Sequence, residues 1–204
     1  MTAEALSFAL CLASGIFGRP AWTVEKCDER AIQISEIAKQ HDVDPLLMVA
    51  VNIQECDMRE DVDALVTVGE GRHKRVVGID ACPMGVRIMG PAGVRLHAAL
   101  HDDNQAAARV ALYDTAARAM VRWKRWCSRG HQGNAPLPLF STQHHFIAHY
   151  NQGDPTYSHQ VLGIQAALAR RPIKPEHERR FTERTKEIVR RLLLAQRKAE
   201  KRRS

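Results

Sequence analysis

The eight residues Leu46-Leu47-Met48-Val49-Ala50-Val51-Asn52-Ile53 constrain this chain more than any other stretch. Asp44 is a good N-cap and Pro45 suits a first helical turn, so a helix is expected to begin there. The run after Pro45 is apolar on nearly every side, and such a helix belongs in the middle of a domain. It runs out in Gln54-Glu55-Cys56-Asp57. A carboxylate on the end of a core helix sits where desolvation can raise its pKa, the condition for a proton donor near neutral pH. The plainer alternative is a helix that frays at Gln54 and leaves Glu55 in solvent.

The remaining composition bounds what surrounds that helix. With 204 residues, 45% hydrophobic and 26% charged, the chain fits one ordinary globular domain, or one domain plus a tail. Aromatics reach only 5%, so the core must rest on Ala, Leu, Val and Ile. No apolar run approaches the roughly 18–20 residues of a membrane-spanning helix, which excludes an integral membrane protein. Neither GxxxxGK[ST] nor GxGxxG occurs, so standard nucleotide-binding loops have no support. The net charge of +7 is uneven: residues 172–204 carry twelve Lys/Arg and five Asp/Glu, against eighteen of each elsewhere. The basicity therefore belongs to the tail, and a basic nucleic-acid-binding face on the body is not expected.

Along the chain, the apolar stretch Leu6 to Phe17 reads as a helix of the fold or a weak signal-like segment, without a basic start or a clean A-x-A. A helix is expected from about Val24 to Gln40, with Ile34, Ile37 and Ala38 inward. Two β-rich runs, 64–68 and 75–79, flank a Gly-containing polar loop and read as a hairpin. Residues 82–91, where Gly and Pro bracket apolar residues, suggest a tight backbone path at a cleft wall. A long helix is expected from near Asp103 to Arg129, stopped by Gly130, with Leu112, Ala116, Ala119, Met120 and Trp123 as a stripe. After a Pro/Gly loop, helices are expected from near Ser141 to a stop at Gly153, and from Pro155 to about Ala169. The tail should be a charged, mainly solvated helix starting at Pro175, with Phe181, Ile188, Leu192 and Ala195 as a partial apolar stripe.

Other chemistries are weakly marked. The five cysteines show no CxxC or zinc-type spacing, and free thiols packed as small hydrophobes are the default, with Cys56–Cys82 the one bridge worth testing. His144, His145, His149 and His159 make no HExxH and have no acidic partner at ligand spacing, so no metal is expected. Trp123 and Trp126 fit a sugar site, but their helical spacing favours the core. No GxSxG elbow is present.

Three segments, in order, resemble the soluble-type lytic transglycosylases, relatives of goose-type lysozyme. Val43 to Val51, ending in Gln54-Glu55-Cys56, is similar to the family's "gvdP.ll.Ai...ES" helix, whose Glu is the catalytic acid/base. Met84-Gly85-Val86-Arg87-Ile88-Met89-Gly90-Pro91 is similar to "GlMQimP". Ala148-His149-Tyr150-Asn151-Gln152-Gly153, with Pro155, Tyr157 and Val161, resembles "aaYNaGp..y...V". Together they span about Ile34 to Ala169. Cys56 stands where Ser is usual, and Ile88 or Arg87 where Gln is usual. The Glu55-to-Gly85 separation is long for the family, and the hairpin absorbs the excess.

The resemblance implies a mainly α, lysozyme-like domain with a small β-hairpin beside the cleft. It divides the chain into an N-terminal segment 1–23, a transglycosylase domain 24–171 and a basic tail 172–204. It implies an enzyme in which Glu55 cleaves the MurNAc-β-1,4-GlcNAc bond of peptidoglycan, with no metal or organic cofactor. Glu55 gives its proton to the leaving oxygen, the substrate's own 2-acetamido group assists, and the product is a 1,6-anhydro sugar. Cys56, Met84, Gly85, Met89, Tyr150, Asn151 and Tyr157 are the expected substrate-binding residues. A hydrolytic muramidase is the nearest rival, with Asp57, Asp61, Asp63 or Asp80 as a second carboxylate. A degenerate glycan-binding or structural component of a phage or secretion apparatus is another. Peptidoglycan as partner places the protein in the periplasm or facing the cell wall. The tail offers a contact for an anionic surface, and no specific nucleic acid is expected.

Overall fold

At the centre of the molecule lies α3 (Pro45–Cys56), begun as its sequence suggests: the Asp44 carboxylate accepts from the Leu46 N–H at 2.8 Å, and Pro45 fills the first turn. Every side chain from Leu46 to Ile53 is buried. The helix does not fray at Gln54 but continues through Cys56, and Asp57 ends it in the left-handed conformation. The structure, a computed structural model, describes residues 1–128, 142–151 and 154–202. The Pro/Gly loop expected over 130–139, the stops at Gly130 and Gly153, and the side chains of His144 and His145 lie outside the described residues.

Helices α1 (Ala3–Phe17), α2 (Val24–His41) and α7 (Pro155–Leu168) pack around α3. Thr2 and Thr23 cap the first two, their hydroxyls accepting from the N–H groups of Ala5 and Lys26. The apolar stretch near the N-terminus is thus a packed helix, with Leu6, Leu10 and Ala13 inaccessible to solvent. It is also bonded to the body through Cys11–Cys27. That bridge and Cys56–Cys82 overturn the default of free thiols, and Cys127 alone keeps its thiol. Sequence spacing carries no trace of Cys11–Cys27, because the pairing is made by two helices packing side by side.

After α3 the chain forms β1 (Asp63–Val68), β2 (Arg75–Ala81) and β3 (Val86–Met89), an antiparallel sheet in that order. The first two are the expected hairpin. The third lies where the sequence suggests only a tight path, since four residues between glycines give too short a pattern to recognise. Asp80 stands opposite Arg87, and their side chains form a two-pronged ion pair, each contact 2.7 Å. Helix α4 (Pro91–Leu100) has no counterpart among the expected elements, although Pro91 occupies its first turn. It packs closely on the sheet, where a Cβ at Gly93 would overlap the Ile88 carbonyl oxygen.

Helix α5 (Gln105–Ser128) sends Leu112, Ala116 and Met120 into the core, whereas Ala119 and Trp123 of the same expected stripe face a cleft. Helix α6 (Thr142–Tyr150) leads towards α7. The tail holds α8 (Pro175–Glu178) and α9 (Glu183–Lys201), and it is not a detached charged helix. Phe181, Ile188, Val189 and Leu192 join the common core, and α9 lies on α1 and α7. Mainly α-helical with a small antiparallel sheet, the fold has no helix, among the described residues, long and apolar enough to cross a membrane.

One buried ion pair pins the chain beyond α3. Glu60 accepts from Arg30 Nε at 2.7 Å and Nη2 at 3.2 Å, and Lys26 Nζ lies 3.0 Å from it. The Tyr113 hydroxyl donates to the same carboxylate at 3.3 Å.

Candidate active site at the end of the central helix

Because α3 keeps its helical form to Cys56, it carries Glu55 beyond the core into the wall of a cleft of about 690 Å³. The turn from β2 to β3 packs directly against Glu55. Gly85 adopts φ +59°, and a Cβ there would lie 2.9 Å from both Cβ and Oε2 of Glu55. Any larger residue would be strained and would displace the carboxyl group. The Cys56–Cys82 disulfide joins the residue after Glu55 to the start of this turn, so a covalent tie holds Gly85 against the carboxylate.

Tyr150 closes the corner from α6. Its hydroxyl donates to the Met84 carbonyl at 2.8 Å, linking the end of α6 to the glycine turn. Tyr150 and Asn151 line the cleft with Glu55 and Gly85, so the three sequence segments meet in one place. Tyr157, only 2% exposed, faces Glu55 from α7. Burial first, then the charge of Glu55, holds its phenol far above the ordinary value, so it remains a neutral hydroxyl.

The electrostatics of Glu55 follow from this enclosure. Burial is the largest influence and pushes its pKa above the ordinary carboxylate range. The Tyr157 hydroxyl and the Arg184 guanidinium oppose that rise without cancelling it. Arg184 comes from α9, where it donates to the Gln54 carbonyl at 2.8 Å and to Asp57 at 2.9 Å. A residue of the basic tail thus borders the site. Its only sequence signal is a charge run indistinguishable from a solvated face.

Four expected binding residues are placed differently. Cys56 is fully buried and bonded to Cys82, so its sulfur tethers the corner and is not open to a ligand. Met84 is 0% exposed, and it contributes its carbonyl rather than an apolar contact. Met89 is 53% exposed on β3 but does not line the cleft, because its sulfur lies against Gly78. Tyr157 is buried behind Glu55, whose charge acts on its phenol, and it does not line the cleft either.

Trp123, which spacing favours as core, lines the cleft and stacks on His149, with ring centroids 4.9 Å apart and planes 18° from parallel. Trp126 meets the His149 ring edge-on at 5.0 Å. Of the four aspartates that could supply a second carboxylate, Asp63 and Asp80 line the cleft, and both are engaged: Asp80 by Arg87, Asp63 by His97 and His101. Asp57 is held by Arg184. The cleft therefore joins one enclosed carboxyl group with a raised pKa to Tyr150, an asparagine and an aromatic wall, with the neutral Tyr157 hydroxyl behind the carboxyl. Such a set can deliver a proton to a bound polar substrate and take one back. Compared with known proteins, the chain matches no family model, no curated protein and no solved structure.

Proposed function

We propose that the chain is a peptidoglycan lytic transglycosylase with a lysozyme-like catalytic domain, cleaving MurNAc-β-1,4-GlcNAc bonds with Glu55 as the single acid/base. The observation that carries this reading is the Glu55 carboxyl group. It is enclosed against Gly85, its pKa is raised by burial, and it faces a cleft shared with Tyr150 and Asn151.

Protonated Glu55 donates to the glycosidic oxygen as that C–O bond breaks and the sugar takes on oxocarbenium character. The substrate's 2-acetamido oxygen closes on C1 from the opposite face. The Glu55 carboxylate then removes the C6 hydroxyl proton, and O6 attacks C1, releasing the acetamido group and leaving a 1,6-anhydro end. Glu55 finishes protonated, ready for the next bond. Burial that raises its pKa serves the first step, and the neutral Tyr157 hydroxyl steadies the carboxylate during the second. Trp123, stacked on His149 in the cleft wall, offers aromatic surface for a sugar ring to pack against.

A hydrolytic muramidase is the second reading, favoured by the presence of Asp63 and Asp80 in the cleft. The Arg87 and histidine contacts of these two carboxylates weigh against their positioning a water. Digestion of purified sacculi with wild type and Glu55→Gln, with products identified by mass, tests both readings. Anhydro-muropeptides lost in the variant support the transglycosylase, and reducing ends support the hydrolase. Glycan binding without turnover, unchanged in the variant, overturns both. Two disulfides support an oxidising compartment, in keeping with periplasmic or cell-wall-facing action. The basic residues 172–204 would add attraction to anionic surfaces.

A further inference from the structure

We propose that Asp63, His97 and His101 form a binding site for one divalent transition-metal ion of the zinc type, at the junction of β1 and α4. His97 and His101 do not line the Glu55 cleft, whereas Asp63 borders both it and this site; the cluster is argued from its own donor geometry, whatever the cleft cleaves.

The placement comes from two elements. His97 lies in the last turn of α4 and His101 is the residue just past the helix, so the i, i+4 spacing turns both imidazoles to one side. Asp63 opens β1, and the packing of α4 against the sheet brings its carboxylate under both rings. One donor atom from each residue lies within 4.8 Å of the others. His97 Nδ1 is 2.5 Å from Asp63 Oδ2, and His101 Nε2 is 3.2 and 3.3 Å from the two carboxylate oxygens. The two rings are edge-on, with centroids 4.7 Å apart.

These separations suit a metal. Four donors at about 2.0–2.2 Å around a tetrahedral ion stand roughly 3.3–3.5 Å from one another. His101 and Asp63 already have that spacing, and the His97 ring, now hydrogen-bonded to Asp63, must shift outward to admit the ion. Two imidazoles and a carboxylate favour zinc-like ions over calcium or magnesium, which take oxygen donors. The Asp63 side chain is only 8% exposed, so the carboxylate is held for its partners and not for bulk water. On the outer side a cavity of about 290 Å³, lined by Asp63 and His101 together with Asp61 and Gln105, has room for a water as fourth ligand. The sequence offers only the i, i+4 histidine pair; 34 residues separate Asp63 from His97 and no ligand motif links them.

Such an ion would act as a clip. It would join the first strand to α4 at the residue that also forms part of the Glu55 cleft wall.

The test is titration of the full chain, stripped with a chelator, with Zn²⁺ in competition with a chromophoric chelator, and then with Co²⁺. One ion per chain is expected, with a visible Co²⁺ d–d spectrum that lacks a thiolate charge-transfer band, which separates this site from Cys127. The 57%-exposed side chain of His101 makes His101→Ala compatible with the fold, and Asp63→Asn is its companion. Each should weaken binding by roughly a hundredfold. The exposed His73→Ala should bind as wild type does. Saturating Zn²⁺ should raise the melting temperature of wild type and leave that of His101→Ala unchanged. Absence of saturable binding at micromolar zinc, or equal binding by wild type and His101→Ala, overturns the proposal.

Discussion

Glu55 and Glu60 are near neighbours in sequence and both are withdrawn from water, yet their surroundings drive them in opposite directions. Desolvation is the largest influence on each and pushes each upward. At Glu60 the Arg30 hydrogen bond and charge, with Lys26 beside them, outweigh it and bring the pKa below the ordinary value. At Glu55 the opposing partners are a neutral tyrosine and a partly exposed arginine, and the upward push survives. Burial alone therefore does not make a proton donor. A buried carboxyl with a bidentate arginine is a structural anchor, and one without a close cation is an acid in waiting.

The sharpest way to break this contrast is to neutralise each carboxylate. Glu55→Gln should reduce glycan cleavage by about a thousandfold or more, read from products released per enzyme. Glu60→Gln should leave the Glu55 corner assembled but cost about 3–5 kcal/mol in denaturant unfolding, because Arg30 is left buried without its counter-ion. The pH dependence sharpens the second result. A lowered folded pKa contributes stability above the ordinary value of 4.5 and loses it as pH falls through the folded value, so wild type and Glu60→Gln should converge on acidification.

Smaller effects are expected at the tether and at the tyrosine. Cys82→Ser opens a bridge of sequence separation 26 and should cost about 3 kcal/mol, with a further loss of activity as Gly85 drifts from Glu55. Tyr157→Phe removes a group that lowers the Glu55 pKa, so the basic limb of the activity profile should move to higher pH, measured as the initial rate of sacculus solubilisation. Smallest is the effect of Glu55→Gln on stability itself. A raised folded pKa costs stability as pH climbs from 4.5 through the folded value, so this variant should melt above wild type at neutral pH and match it in acid.

What is legible in the chain is local. Asp44 and Pro45 mark the start of α3 because capping is decided within four residues, and the unbroken apolar run marks its burial. The meeting of Glu55, Gly85, Tyr150 and Asn151 is expected from resemblance, since nothing in their spacing alone brings residues so far apart together. Cys11–Cys27, the entry of Arg184 and the inward turn of Met84 depend on how helices stack, and helical period carries no partner information. Trp123 shows the same limit: spacing sets which face of α5 it shares, and only the neighbouring elements decide whether that face meets core or cleft.

Consider a chain clipped after residue 171. It would keep every residue that lines the Glu55 cleft and still lose the cation gripping the Gln54 carbonyl, along with Phe181, Ile188 and Leu192 from the core. Helix α9 is the latch on the Glu55 corner, and α1 and α9, packed on one another, brace the residue that lies between them in sequence.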